Sequence, residues 1–186
     1  MSAGNGSLLK GFEHLPALPT TSHRSGKGLA MDSLPNNVTD IIERSQAYVK
    51  FPNPITSDFV VGGFDAHVQF SVELQVDYAK QLYDRVRYEF PELRIYHFFE
   101  HPAGPFTIGS FEVSLRSPLE LGTFTAWLIV HRGPLSVLIH PNTDTDVTGE
   151  TNELASINDH TKRAIWLGDP IELNLDFFRS GVKSRT

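Results

Sequence analysis

The residues of this chain best able to do chemistry are its histidines, eight among 186 residues, with no cysteine beside them. The missing thiols exclude a disulfide framework, a thiolate zinc site, an iron–sulfur cluster and a cysteine nucleophile. A bound metal must then draw its ligands from His, Asp and Glu, a donor set that suits a borderline first-row ion. His67 shares a polar face with Asp65 and Gln69, Glu112 lies between Ser110 and Ser114, His140 precedes a Pro-Asn-Thr run, and His160 follows Asp159. Imidazoles and a carboxylate meeting on one open sheet face would make a non-haem Fe(II) site, because three facial ligands leave positions for substrate and dioxygen. Read singly, each histidine fits better as a surface or turn residue; His67 and His140 together, at polar-face and strand-end positions, fit either reading equally. His14 and His23 sit in a polar extension, and His131 reads as a helix C-terminal residue favoured by the helix dipole.

The elements that must position these side chains follow from periodicity. Phe64, Ala66, Val68, Phe70 and Val72 alternate with polar residues, which predicts a half-buried strand. Val76, Ala79, Leu82, Tyr83, Val86 and Phe90 recur at helical spacing, and Pro91 stops the helix. Residues 93–99 and 108–115 alternate again, joined by the rigid Pro102-Ala-Gly-Pro105 connection. Ser117-Pro118-Leu119-Glu120 predicts a helix start, with Ser as cap, Pro at the first position and Glu reaching back, and that helix runs to about residue 130. Residues 135–139 form a fourth strand ending at His140. A polar loop over 141–158 precedes a short helix over 159–167, stopped by Gly168, and apolar alternation returns over 171–178.

Strand, helix, strand, strand, helix, strand is the split βαβ order, an α+β antiparallel sheet with two helices on one face. It makes the first and third strands neighbours, so His67 and Glu112 can meet on the face away from the helices. That face needs a cover, which leaves a homodimer open. Trp127 and Trp166 lie among apolar residues and read as core packing. Asp144, Asp146, Glu150 and Glu153 lack the spacing of a calcium loop.

The net charge is −6, with five basic and four acidic residues up to residue 50 and 11 against 18 beyond it. An acidic body without a basic stripe argues against nucleic-acid binding. No stretch approaches the roughly 20 apolar residues of a membrane span, and no secretory signal is visible, so a cytoplasmic protein is expected. Residues 1–50 are rich in Gly, Ser, Thr, Pro and Asn and read as an extension that is largely disordered or draped on the domain. The domain itself is expected over 54–178, with a polar tail over 179–186.

Several runs carry a resemblance. They are Ala66-His67-Val68-Gln69-Phe70, Phe90-Pro91-Glu92-Leu93-Arg94-Ile95-Tyr96, Pro102-Ala-Gly-Pro105, Phe111-Glu112-Val113, Arg132-Gly133-Pro134 through His140-Pro141-Asn142-Thr143, and Asp159-His160-Thr161 with Trp166-Leu167-Gly168. Over roughly residues 60–178 the chain resembles the DOPA 4,5-dioxygenase family. The resemblance implies a ferredoxin-like domain and a non-haem Fe(II) enzyme that opens a DOPA-like catechol beside its two hydroxyls, in secondary metabolism. On that reading His67 and His140 are metal ligands and His160, with His140, is a catalytic group that moves protons or contacts substrate, while Glu112, from the sheet geometry, and His101 are the candidates for a third ligand. One departure stands out, Phe106 where the family usually has the His of Gly-Pro-His-Pro. Gln69 also replaces a usual aromatic. Gln69, Phe106 and His101 are therefore candidate pocket residues, His101 as a histidine that could swing in. The alternatives are a metal-free isomerase or cyclase on the same scaffold and a non-catalytic small-molecule-binding protein.

Overall fold

The computed structural model describes residues 44–58 and 61–180. The extension expected over residues 1–50 falls mainly outside the described residues. Gln46–Tyr48 form a short 3-10 turn capped by the Ser45 hydroxyl.

The split βαβ order is present. In chain order it runs β1 (Phe64–Phe70), α1 (Val76–Glu89), β2 (Arg94–Ile95), β3 (Gly109–Leu115), α2 (Pro118–His131) and β4 (Ser136–Pro141). Two short helices, α3 (Thr145–Thr148) and α4 (Asn152–His160), an edge strand β5 (Ile165–Leu167) and a last turn α5 (Asp176–Arg179) complete it. The sheet is antiparallel, in the order β2-β3-β1-β4-β5. β1 and β3 are central neighbours, with His67 opposite Glu112 and Asp65 opposite Ser114.

Strand alternation divides the sheet into two unlike faces. Ala66, Val68, Phe70, Phe111, Val113, Leu115, Val137 and Ile139 are fully buried beneath the helices. The helices meet them with Ala79, Leu82 and Val86 from α1 and Phe124 and Leu128 from α2. α2 starts on the expected signal, with the Ser117 hydroxyl accepting from the Glu120 N–H. The Glu120 carboxylate accepts one residue further back than a capping box requires, from the Arg116 N–H. Trp127 packs against the core edge and donates its indole N–H to Glu89 at 2.7 Å. Trp166 stands opposite Leu138 on the sheet rather than on a helix.

Three local expectations need correction. The second strand is only two residues long, because an extra residue enters it. Tyr96 N–H bonds Glu112 O and Phe99 N–H bonds Ser110 O, so three steps on one strand match two on the other. Such a bulge re-aims side chains. Tyr96 and His97, consecutive residues, both line the cavity on the open face, while Phe98 packs on Phe70 at 4.7 Å. The helix expected over 159–167 is two elements: α4 ends at His160, and Ile165–Leu167 extend the sheet beside β4. His160 is thus the last residue of its helix, not near its first. Residues 171–178 make one bridge, Leu173 to Phe106, before α5.

On the open face, Gln69 is 1% exposed, and its amide N and O find no hydrogen-bond partner among the described residues. An unpaired buried amide costs about 1–3 kcal/mol. Gln69→Met, similar in volume, is therefore expected to raise the urea unfolding midpoint by an equivalent of about 1 kcal/mol. A lower midpoint would show that the amide is satisfied by bound water.

Candidate metal centre

β1 and β4 bring His67 and His140 to adjacent rungs of the open face, and α4 lays its last residue over them. The Nε2 atoms of His67 and His140 are 3.0 Å apart. One ligand atom from each of His67, His140 and His160 lies within 4.8 Å of the others. The His67 and His140 rings stack at 5.1 Å and 10°, and the His140 and His160 rings stand 3.8 Å apart.

The far sides of two rings are anchored. His140 Nδ1 lies 2.8 Å from the Pro141 carbonyl and His160 Nδ1 lies 2.9 Å from the Ser156 carbonyl. A carbonyl only accepts, so both Nδ1 atoms carry hydrogen and both Nε2 atoms present lone pairs inward. This is how metal-binding imidazoles are held. Two nitrogens at right angles on one ion with bonds of roughly 2.1 Å are about 3.0 Å apart, which matches the His67–His140 separation. The donor set fits a divalent first-row ion.

Glu112 faces the opposite side of His67, with Oε2 3.8 Å from Nδ1. That is beyond hydrogen-bond range, and it places the carboxylate behind the imidazole rather than among the three converging nitrogens. Burial, and then the neighbouring Asp65 carboxylate, push the Glu112 carboxyl up to about 8, against the opposing influence of Arg94 and Arg116. His67 is held well below the ordinary imidazole value by burial, then by His140 and His160. His160 is lowered by burial and His140, while the Ser156 carbonyl opposes this.

These shifts set a pH optimum for the metal-free fold. Below about 6.5 the unfolded chain protonates two imidazoles that the fold keeps neutral, so stability falls as pH drops through that value. Glu112 acts with the opposite sign. Its contribution is full below 4.5 and is lost as pH rises towards about 8. Stability of metal-free protein is expected to peak near pH 6.5, measured as urea midpoints from pH 5 to 9. Glu112→Gln should remove the decline on the alkaline side and leave the acid side in place.

The triad opens into a cavity of about 500 Å³. Asp65, Glu112, Ser114 and Asn142 form one wall, while Phe99, Phe106, Phe177 and Phe178 form an aromatic side. Phe106 is buried and its ring lies 4.4 Å from that of His67. The Phe106 backbone closes a two-residue turn with Ala103, and Gly104 takes φ 59° at its first corner, where a side chain would be strained. Gln69 and His101, expected in the pocket, do not line it. Gln69 is enclosed two residues along β1 from His67, and exposed His101 turns Nδ1 to the Pro102 carbonyl at 3.0 Å. His97 and His101 are four residues apart, a spacing that would pair them on a helix. The segment is not helical, so only His97 reaches the cavity. Phe177 and Phe178, on the last described helix, carried no local signal that placed them at the cavity.

Comparisons with known proteins bear on this geometry. The sequence pattern of a family described as the Dopa 4,5-dioxygenase family matches residues 64–177. A protein of Botryotinia fuckeliana, named "Uncharacterized 21.2 kDa protein", is 44% identical over 176 residues, covering 93% of this chain and 90% of its own. A DOPA 4,5-dioxygenase of Amanita muscaria is 34% identical over 74 residues, 40% of this chain and 28% of its own length. The crystal structure of a "putative dioxygenase" from Nostoc punctiforme is similar with a TM-score of 0.53 and 29% identity, covering 64% of this chain and 93% of that one.

Proposed function

Since this chain belongs to the Dopa 4,5-dioxygenase family, we propose that it cleaves the ring of a catechol-like substrate beside its two hydroxyls, with a non-haem Fe(II) held by His67, His140 and His160. The observation that carries this reading is the convergence of three imidazoles within 4.8 Å, two with their outer nitrogens tied to carbonyls. Relative to the sequence expectation, His160 moves from proton carrier to ligand and Glu112 from ligand to a position behind His67. When bound, iron supplies Lewis-acid polarisation and a template for the catechol oxygens and dioxygen.

The chain's own residues do the rest. His67 presents Nε2 inward once its proton resides on Nδ1, the nitrogen that faces Glu112 Oε2 at 3.8 Å. Phe106 and Phe178, in ring contact with His67 and His160, restrict water on one side of the triad. His97 lines the cavity, is exposed to solvent and lies outside the triad, so it is the imidazole free to exchange protons with substrate.

Anaerobic titration with Fe(II) tests the reading. About one ion per chain should bind, and the loaded protein should consume dioxygen with catechols. Absence of iron binding would leave the metal-free reading in its place. Phe106→His probes the departure from the family pattern. Three nitrogens already converge without a ligand from residue 106, so the restored histidine should change iron affinity by less than about threefold, well short of the effect of losing a ligand. A gain of a hundredfold would show an incomplete site in the natural chain.

A further inference from the structure

Resting on the ring-cleaving reading, the charge of the cavity wall narrows the substrate. Asp65 stands one rung from His67, opposite His140 on β4 and Ser114 on β3. It lines the cavity together with Glu112, the residue opposite His67. One Asp65 oxygen accepts from the Asn142 amide at 2.8 Å, which fixes the carboxylate on the wall. Among the described residues lining the cavity there is no Lys or Arg. The Arg94 guanidinium lies over the Tyr96 ring at 4.5 Å, and neither Arg94 nor Arg116, the cations that act on Glu112, is part of the cavity lining. Away from this wall the lining includes Phe99, Phe106, Phe177 and Phe178.

A catechol held at the triad by its hydroxyls projects its ring substituent into this space. A carboxylate there would be desolvated beside the Asp65 carboxylate with no Lys or Arg on the cavity lining to pair it, whereas an ammonium would find an anion. We infer that this chain selects catechols whose side chain carries an amine, or no charge, over those carrying a carboxylate, with Asp65 as the specificity-determining residue.

Three probes with the same ring and different side-chain charge test this: dopamine, 4-methylcatechol and 3-(3,4-dihydroxyphenyl)propionate. They are titrated calorimetrically and anaerobically into Fe(II)-loaded protein. Affinity should fall in that order, with the amine at least about tenfold tighter than the acid. Asp65→Asn keeps an acceptor for Asn142 and removes the charge, so the amine-to-acid ratio should fall towards unity. An acid that binds as tightly as the amine, or a ratio unchanged in Asp65→Asn, overturns the inference while leaving the ring-cleaving reading intact. Failure of all three catechols to bind overturns both. The wild-type ratio decides the matter even where the variant does not fold.

Discussion

His67→Ala is expected to abolish stoichiometric iron binding, raising the dissociation constant by about a hundredfold or more, and to remove catechol cleavage with it. The size follows from position. Loss of a residue supporting a ligand typically costs about 10–100-fold in metal affinity, and loss of a ligand costs more. His67 is central to the site: its Nε2 is 3.0 Å from that of His140, its ring contacts those of Phe106 and His160, and its far side faces Glu112. The remaining two imidazoles would hold a divalent ion only weakly. His101→Ala is the control, because His101 is exposed and turned to its own neighbour's carbonyl. Metal analysis after gel filtration, beside circular dichroism for folding, reads the result. Full iron occupancy in folded His67→Ala would place the centre elsewhere.

Part of this site is carried by strand period and strand order, and part by contacts distant in sequence. His67 and Glu112 were legible because strand period fixes the face of every residue, and the split βαβ order made their strands neighbours. His140 followed from the end of an apolar run. His160 was found as a residue but placed on the wrong element. The segment before it is polar, and polarity reads as loop. Yet Asp144 and Thr151 are N-caps, each accepting a backbone N–H of the helix it opens. The buried face of α4 is Ala155, Asn158 and Asp159, so it presents no apolar stripe to detect. Tyr96 and His97 could not be placed together on one wall, because a bulge has no signature in alternation. Phe177 and Phe178 reach the cavity through long-range packing alone. Period gives the faces of regular elements, whereas polar burial and register shifts depend on partners distant in sequence.

That polar burial leads to a second large effect. Asp159→Ala is expected to destabilise the fold by about 2–3 kcal/mol and to weaken iron binding about tenfold, although Asp159 is not one of the converging ligands. Its carboxylate is 5% exposed and accepts from the Thr143 N–H and hydroxyl, both at 3.0 Å, and from Arg163 at 2.9 Å. Arg163 continues to Glu150, which accepts from Asn158 at 2.7 Å. The last turn of α4 is thereby tied to the chain leaving β4, and that tie sets where His160 meets His140. Removing the carboxylate strands the Thr143 N–H and leaves Arg163 paired with Glu150 alone, and the partial exposure of Arg163 keeps the cost below that of a fully buried pair. Asp159→Asn should be milder, because its carbonyl oxygen can still accept from Thr143. Glu153→Ala, on the exposed first turn of the same helix, should change stability by less than about 0.5 kcal/mol. The informative measurement is iron affinity at a temperature where Asp159→Ala is fully folded. A tenfold loss there assigns Asp159 to the positioning of His160, whereas an unchanged affinity confines its role to the stability of α4.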